Sequence, residues 1–371
     1  MPAILFLVIL LSLSAELPAA TIRLFLGSLG SETARPEIFL SALNTETGAL
    51  QTPKELAGAE NPSFLAISFG GDFLYSVAEK EEGKVFSWSV APDASLTKLN
   101  EQPSGGAGPC HISISPSGRV LFVANYTGGS VAAFPIKKDG SIGEQTAFIQ
   151  FNGTGPDAKR QEKPHAHGVY CDPGEEFVYV TDLGTDRVWI FKLDAAAGTL
   201  TAAEPPFASL PPGSGPRHLA FGKDHVYVNG EMGLGITVLA RDGETGALTP
   251  GVTTPVFPEG MVLTAKPDTA EVVVHPNGRF LYLSTRGVSS ISTFAIDKAG
   301  QIAFIENIRA GVEGPRHFTC SPDGKWLVVA GQRDNRVTAF SIDSTSGKLR
   351  PTQQVIELPS PVCAIFVPAR Q

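Results

Sequence analysis

The chain repeats one unit seven times, and that repeat restricts its fold more than any other feature. Each unit is an apolar run, a tight turn, a second apolar run, a short polar loop and a third run ending in a Gly-containing turn. The first turns include Ser115-Pro116-Ser117-Gly118, Asp172-Pro173-Gly174, His275-Pro276-Asn277-Gly278 and Ser321-Pro322-Asp323-Gly324. Proline presets φ and glycine supplies the left-handed position, so these segments read as hairpin connections. The run after the turn reads IRLFLGS, FLYSVA, VLFVAN, FVYVTD, HVYVNG, FLYLST and WLVVAG, and the next reads EIFLSAL, VFSWSV, VAAFPI, VWIFKL, ITVLA, ISTFAI and VTAFSI. The units begin at NPSF, GPCH, PHAHG, GPRH, DTAEV, a second GPRH and SPVC, about 46 to 57 residues apart. That is the spacing of propeller blades.

A four-stranded blade cannot bury both of its faces alone, so the units must stack in a closed ring. The two ends of the chain set the count. The N-terminal part supplies later strands of a blade from Ile22 onward but no first strand, whereas SPVCAIFVP is a first strand with nothing after it. The expected fold is therefore all-β, a seven-bladed propeller closed by N- and C-terminal strands in one blade.

Composition agrees with a packed body and narrows the partners. Of 371 residues, 42% are apolar and 18% charged, which excludes a disordered chain. A net charge of −8 without a Lys/Arg cluster excludes a nucleic-acid surface, which needs a basic stripe. Cys110, Cys171, Cys320 and Cys363 are widely spaced in apolar contexts and read as small core residues, not a disulfide framework. Residues 1–20 carry an apolar run from Ile4 to Leu13 followed by Ala19 and Ala20, the pattern of a secretory signal peptide ahead of a propeller domain at 21–371. The run falls short of the roughly 20 residues of a membrane span. The expected location is periplasmic or secreted. Because no basic residue precedes the run, an uncleaved anchor or a cytoplasmic location is the alternative. Nothing in the sequence fixes an oligomeric state.

In an antiparallel hairpin the start of the first strand lies beside the end of the second, so both emerge on one rim. The residues after each unit's leading position are Ser63, Cys110, His167, Arg217, Ala270, Arg316 and Val362. Those at the end of the second strand are Glu79, Tyr126, Leu183, Glu231, Arg286 and Gln332. The two sets gather His167, Arg217, Glu231, Arg286 and Arg316 at one mouth of the central channel. Three arginines, a carboxylate and an imidazole suit an anionic, oxygen-rich ligand and acid/base work. The plainer alternative is that the arginines pair with nearby carboxylates, Glu231 with Arg217 among them. His111, His218 and His317 share one repeat position and are expected to be structural, bonding within their own blade, and His275, beside a turn, is expected to be solvated. His165 and His167 would share a strand face, but no further ligands with metal-site spacing accompany them, so neither metal nor cofactor is expected. No G-x-S-x-G elbow points to a serine nucleophile.

The segments PHAHGVYCDPGEEFVYVTDLGTDRVWIFKL, PPGSGPRHLAFG, VYVNGE and FLYLSTRG resemble the 6-phosphogluconolactonase and carboxy-cis,cis-muconate cyclase family of seven-bladed propellers. The resemblance extends over nearly all of the chain after about residue 21. It implies an active site at His167 in PHAH, Arg217 in GPRH, Glu231 in VNGE and Arg286 in STRG; Arg316 is a further substrate-binding candidate from the repeat alone, and His165 is the second choice to His167. It also implies a carboxylic-ester hydrolase that needs no metal and opens a sugar-derived lactone, as in conversion of 6-phosphoglucono-1,5-lactone to 6-phosphogluconate. His167 or Glu231 would be the base, and the partner a small lactone or anionic sugar acid. A lactonising cyclase and a non-catalytic extracellular scaffold are the alternatives. An export signal departs from the intracellular setting of a phosphorylated sugar lactone and leaves the natural substrate open.

Overall fold

The computed structural model describes residues 20–30, 34–263 and 265–368, so the leader expected at residues 1–20 lies, apart from Ala20, outside the described residues. The described residues form twenty-eight strands in seven four-stranded antiparallel sheets. Blade 1 joins Pro361–Phe366 to Thr21–Ser28, Glu37–Asn44 and Lys54–Gly58; blades 2 to 7 follow at residues 65–103, 109–150, 166–209, 216–255, 269–309 and 315–357. Ring closure is the antiparallel pairing of the two chain ends, with Leu24 opposite Phe366, Leu26 opposite Ala364 and Gly27 opposite Cys363. No helix among the described residues is long and apolar enough to cross a membrane.

Burial follows position in the blade. Second strands such as Val120–Asn125 and Phe177–Asp182 are buried at every residue, because both faces of a central strand lie against neighbouring blades. Hence their unbroken runs of β-branched and aromatic residues. The outermost strand Leu96–Pro103 is largely exposed and correspondingly polar. Seven apolar clusters fill the seven blade-to-blade interfaces. Between blades 4 and 5, Tyr179, Val188 and Ile190 pack with Leu219, Val226 and Val228, and across the closure Leu24 and Leu26 pack with Trp326 and Val328.

A repeated pin ties four of the seven interfaces at their periphery. The hydroxyls of Tyr75, Tyr179, Tyr227 and Tyr282 donate to the carbonyls of Gly140, Gly246, Gly300 and Gly347 in the following blade, at 2.9 to 3.0 Å. Gly246 has φ of +73°, and a Cβ on it would stand 2.2 Å from Phe177, so the turn seats on the aromatic ring only as glycine. His275 belongs to this set of contacts. It is buried, with Nε2 on the Gly324 carbonyl at 2.8 Å and Nδ1 accepting from the Asn277 amide, which corrects the expectation that it is solvated. The four cysteines are free thiols.

Two features aim side chains at the channel. At the end of each second strand one amide closes back on the preceding loop: Tyr126 to Gly108, Leu183 to His165, Glu231 to Gly215 and Arg286 to Asp268, at 2.8 to 3.0 Å. At the start of the first strands the register slips by a β-bulge, which leaves Cys110, His167, Arg217, Ala270, Arg316 and Val362 in the unpaired stretches. A bulge turns its extra side chain out of the sheet alternation. Here it turns toward the ring axis.

Tyr179→Phe removes one pin and is expected to lower stability by about 1 kcal/mol, read as a lower urea midpoint with unchanged slope. Gly246→Val, which also strains the backbone, is expected to cost more.

Candidate active site

Glu231 is the centre of the mouth. Its Oε1 accepts from Arg160 Nη2 at 2.6 Å, and its Oε2 lies 3.0 Å from both Arg217 Nε and Arg286 Nη2. The Arg217 Nε–H is not aligned on that oxygen, so the contact is an ion pair and not a hydrogen bond. Burial alone would push the Glu231 carboxyl up, but the fields of Arg286 and Arg217 and the bond from Arg160 reverse that and hold it at about 2. Arg217, the largest fully buried side chain, is pulled down to about 10, first by burial and then by Arg286. Its Nη1 donates to the Ala270 carbonyl at 2.6 Å, and Arg286 Nε donates to Asp268 at 3.0 Å.

His167 lies against the same cluster. Its ring is 5.1 Å from that of His218 and 5.4 Å from that of Tyr126, and its Nδ1 is buried without a hydrogen-bond partner. Burial, followed by the positive field of Arg217, drives its pKa well below the usual imidazole value, so the ring is neutral at pH 7. Arg316 reaches the mouth but pairs with Glu79 at 3.4 Å, not with Glu231. His165 stacks on Tyr126, and both its ring nitrogens are engaged, Nδ1 with the Tyr126 carbonyl at 3.0 Å and Nε2 with Glu162 at 3.2 Å.

Two members of the mouth were not among the site residues expected from the sequence, Arg160 and Tyr126. Arg160 comes from the loop ahead of the strand Ala166–Cys171, outside the repeated strands, and bonds the Tyr126 hydroxyl at 3.2 Å as well as Glu231. Tyr126 occupies the same blade position as Glu231 and Arg286. That equivalence was the available signal for it. For Arg160 there was none.

Below the mouth the histidines one residue past the bulge line the channel. His111 Nδ1 accepts from the Val169 amide and His317 Nδ1 from the Ala364 amide, each at 3.3 Å, and His218 Nδ1 meets Glu271 Oε2 at 2.9 Å. These partners belong to the next blade, which corrects the expectation of bonds within a blade. Burial pushes the Glu271 carboxyl up, against the pull of His317 and Arg217. No group of three or more His, Cys, Asp or Glu among the described residues is arranged to hold a metal ion.

The ring is a closed seven-bladed propeller with a buried Arg-Glu-Arg cluster beside a neutral histidine at one mouth. The family described as "Lactonase, 7-bladed beta-propeller" matches residues 23–366, and the chain belongs to that family. A 6-phosphogluconolactonase of Bacillus subtilis (strain 168) is 32% identical over 357 residues, covering 92% of this chain and 98% of the relative. A 6-phosphogluconolactonase of Formosa agariphila is 32% identical, covering 89% of this chain and 95% of its own. The solved periplasmic gluconolactonase of Pseudomonas aeruginosa superposes with a TM-score of 0.86 at 29% identity, covering 95% of this chain and all of that one.

Because the Glu231 carboxyl is depressed to about 2, it binds fewer protons folded than unfolded, where it titrates near 4.3. The stability it contributes is present above the unfolded value and lost as pH falls through the folded one. Glu231→Gln is expected to lower stability by about 3 to 5 kcal/mol at pH 7 and to flatten the fall in Tm between about pH 5 and 2, both read by thermal melts across pH.

Proposed function

We propose that this protein hydrolyses the ester bond of a sugar-derived lactone, with His167 as base and the arginines around Glu231 as the oxyanion site. One observation carries the reading: the neutral, buried imidazole of His167, its Nδ1 without a hydrogen-bond partner, lies in the field of Arg217 and Arg286, and Arg217 Nε is likewise without one. Membership of a family whose relatives bear lactonase names supports it.

In the proposed reaction a water oxygen attacks the lactone carbonyl while its proton passes to His167 Nδ1. The carbonyl π electrons move onto oxygen, and the tetrahedral oxyanion lies against the guanidinium groups of Arg217 and Arg286. Collapse breaks the ring C–O bond, and His167 returns the proton to the departing alkoxide, giving the open hydroxy acid. Glu231 is a poor base at its depressed pKa. It serves as the counter-charge that lets the guanidinium groups of Arg217 and Arg286 stand together out of water, with the more exposed Arg160 over its other oxygen. The arginines that hold down the proton affinity of His167 in the resting site are offset by the oxyanion as it forms, so the imidazole becomes a stronger base on the way to the transition state.

The substrate proposed is an aldonolactone of the 6-phosphoglucono-1,5-lactone type. The periplasmic relative supports export through residues 1–20, which cell fractionation of the full chain would test. With purified protein, Arg286→Ala is expected to lower kcat on 6-phosphoglucono-1,5-lactone by about 10²- to 10³-fold, the loss typical of one oxyanion donor. Full retention would remove the assignment. Activity is expected to be unchanged by a chelator, since every group in the proposed steps is a side chain. As His167 is the required neutral base and its pKa is lowered, kcat/KM is expected to stay flat through neutral pH and to fall only well below 6.5. An acid limb centred at or above that value would exclude His167.

A further inference from the structure

We infer that Arg160 is the residue that recognises an anionic substituent of the substrate remote from the lactone carbonyl. The inference rests on the lactonase reading and adds to it the residue that discriminates a phosphorylated sugar lactone from its plain counterpart.

Three guanidinium groups meet Glu231, but they are not equivalent. Arg217 and Arg286 project from the strand framework, are 2% and 12% exposed and share Oε2. Arg160 is 42% exposed, comes from a loop, and alone holds Oε1. Its backbone is nevertheless fixed. The Arg160 and Gln161 amides close a turn on the Asp157 carbonyl, and the fully buried Gln161 side chain donates to the Leu183 carbonyl and to Asp186, each at 2.8 Å, while accepting from the Asp157 amide at 3.1 Å. The side chain can therefore swing over the mouth while its root stays in place.

The pairing at the mouth leaves Arg160 the exposed partner. Arg217 and Arg286 share Glu231 Oε2, Arg286 also pairs with Asp268, and Arg316 pairs with Glu79, whereas Arg160 meets Glu231 only through Oε1. Removing Arg160 from Glu231 takes away a 2.6 Å hydrogen bond but leaves that carboxylate paired with two buried arginines, and the charge-assisted bonds of the ligand anion to Arg160 offset the loss. The guanidinium fork matches a phosphate or carboxylate in two parallel hydrogen bonds. As Arg160 turns to the ligand, Glu231 Oε1 is left open to a hydroxyl of the sugar ring. Tyr126, whose hydroxyl accepts from Arg160 in the resting site, is the second anchor it would leave.

The test is a ratio, which is insensitive to general damage at the site. For the full chain and for Arg160→Ala, kcat/KM is measured on 6-phosphoglucono-1,5-lactone and on glucono-1,5-lactone. The ratio of the two is expected to fall about tenfold in Arg160→Ala, the loss of one charge-assisted pair, with part of it restored in Arg160→Lys. An unchanged ratio overturns the inference, even if both activities drop, because Arg160 then only supports Glu231. If the full chain opens neither lactone, the proposed function fails separately, and calorimetric titration with 6-phosphogluconate and gluconate decides the present point. A preference for the phosphorylated acid that Arg160→Ala abolishes upholds it, and equal affinities or a preference that survives the substitution refutes it.

Discussion

The pairing of the chain's two ends holds every other feature in place. Each blade exposes two apolar faces, and stacking buries them only if the last blade meets the first. The strand Pro361–Phe366 provides that meeting by hydrogen bonding along Thr21–Ser28, so a single sheet contains both ends of the chain. With the ring closed, seven first strands are forced around one axis. Bulges at their starts then deliver His167, Arg217 and Arg316 to the same opening that receives Glu231 and Arg286 from the ends of the second strands.

What gathers there is electrostatically costly, and the site is organised around meeting that cost. A fully buried arginine beside a second guanidinium would be strongly destabilised alone, as the lowered pKa of Arg217 records. Glu231 offsets this by sharing one oxygen between Arg217 and Arg286 and giving the other to Arg160. The carboxylate is thereby held ionised, and burial keeps His167 neutral beside it. In the proposed reaction the same field divides the roles, with His167 as the base and Glu231 as the counter-charge.

Beneath this mouth, the His218–Glu271–His317 contacts link consecutive first strands across the channel. Arg217 Nη1 lies 3.3 Å from His218 Nε2, so the buried floor also backs the guanidinium from below. A propeller hosts many functions, so the functional reading rests on this local arrangement and not on the fold.

Blade number, ring closure and the rim positions of His167, Arg217, Glu231, Arg286 and Arg316 were legible in the sequence, because a strand repeat with period two fixes which residues share an end of the sheet. Reading by repeat also gave the common position of His111, His218 and His317, but not that each bonds into the next blade. Nor did it give the burial of His275, since inter-blade contacts have no counterpart in the spacing of a single unit. Arg160 belongs to no repeat, and its place over Glu231 is set by a loop whose anchor, Gln161, acquires its partners only on folding. The protonation states of Glu231 and His167 likewise arise from desolvation and from charges contributed by different blades. Local order along the chain thus determined the architecture and the rim. Long-range packing alone decided which side chains at that rim meet, and with what charge.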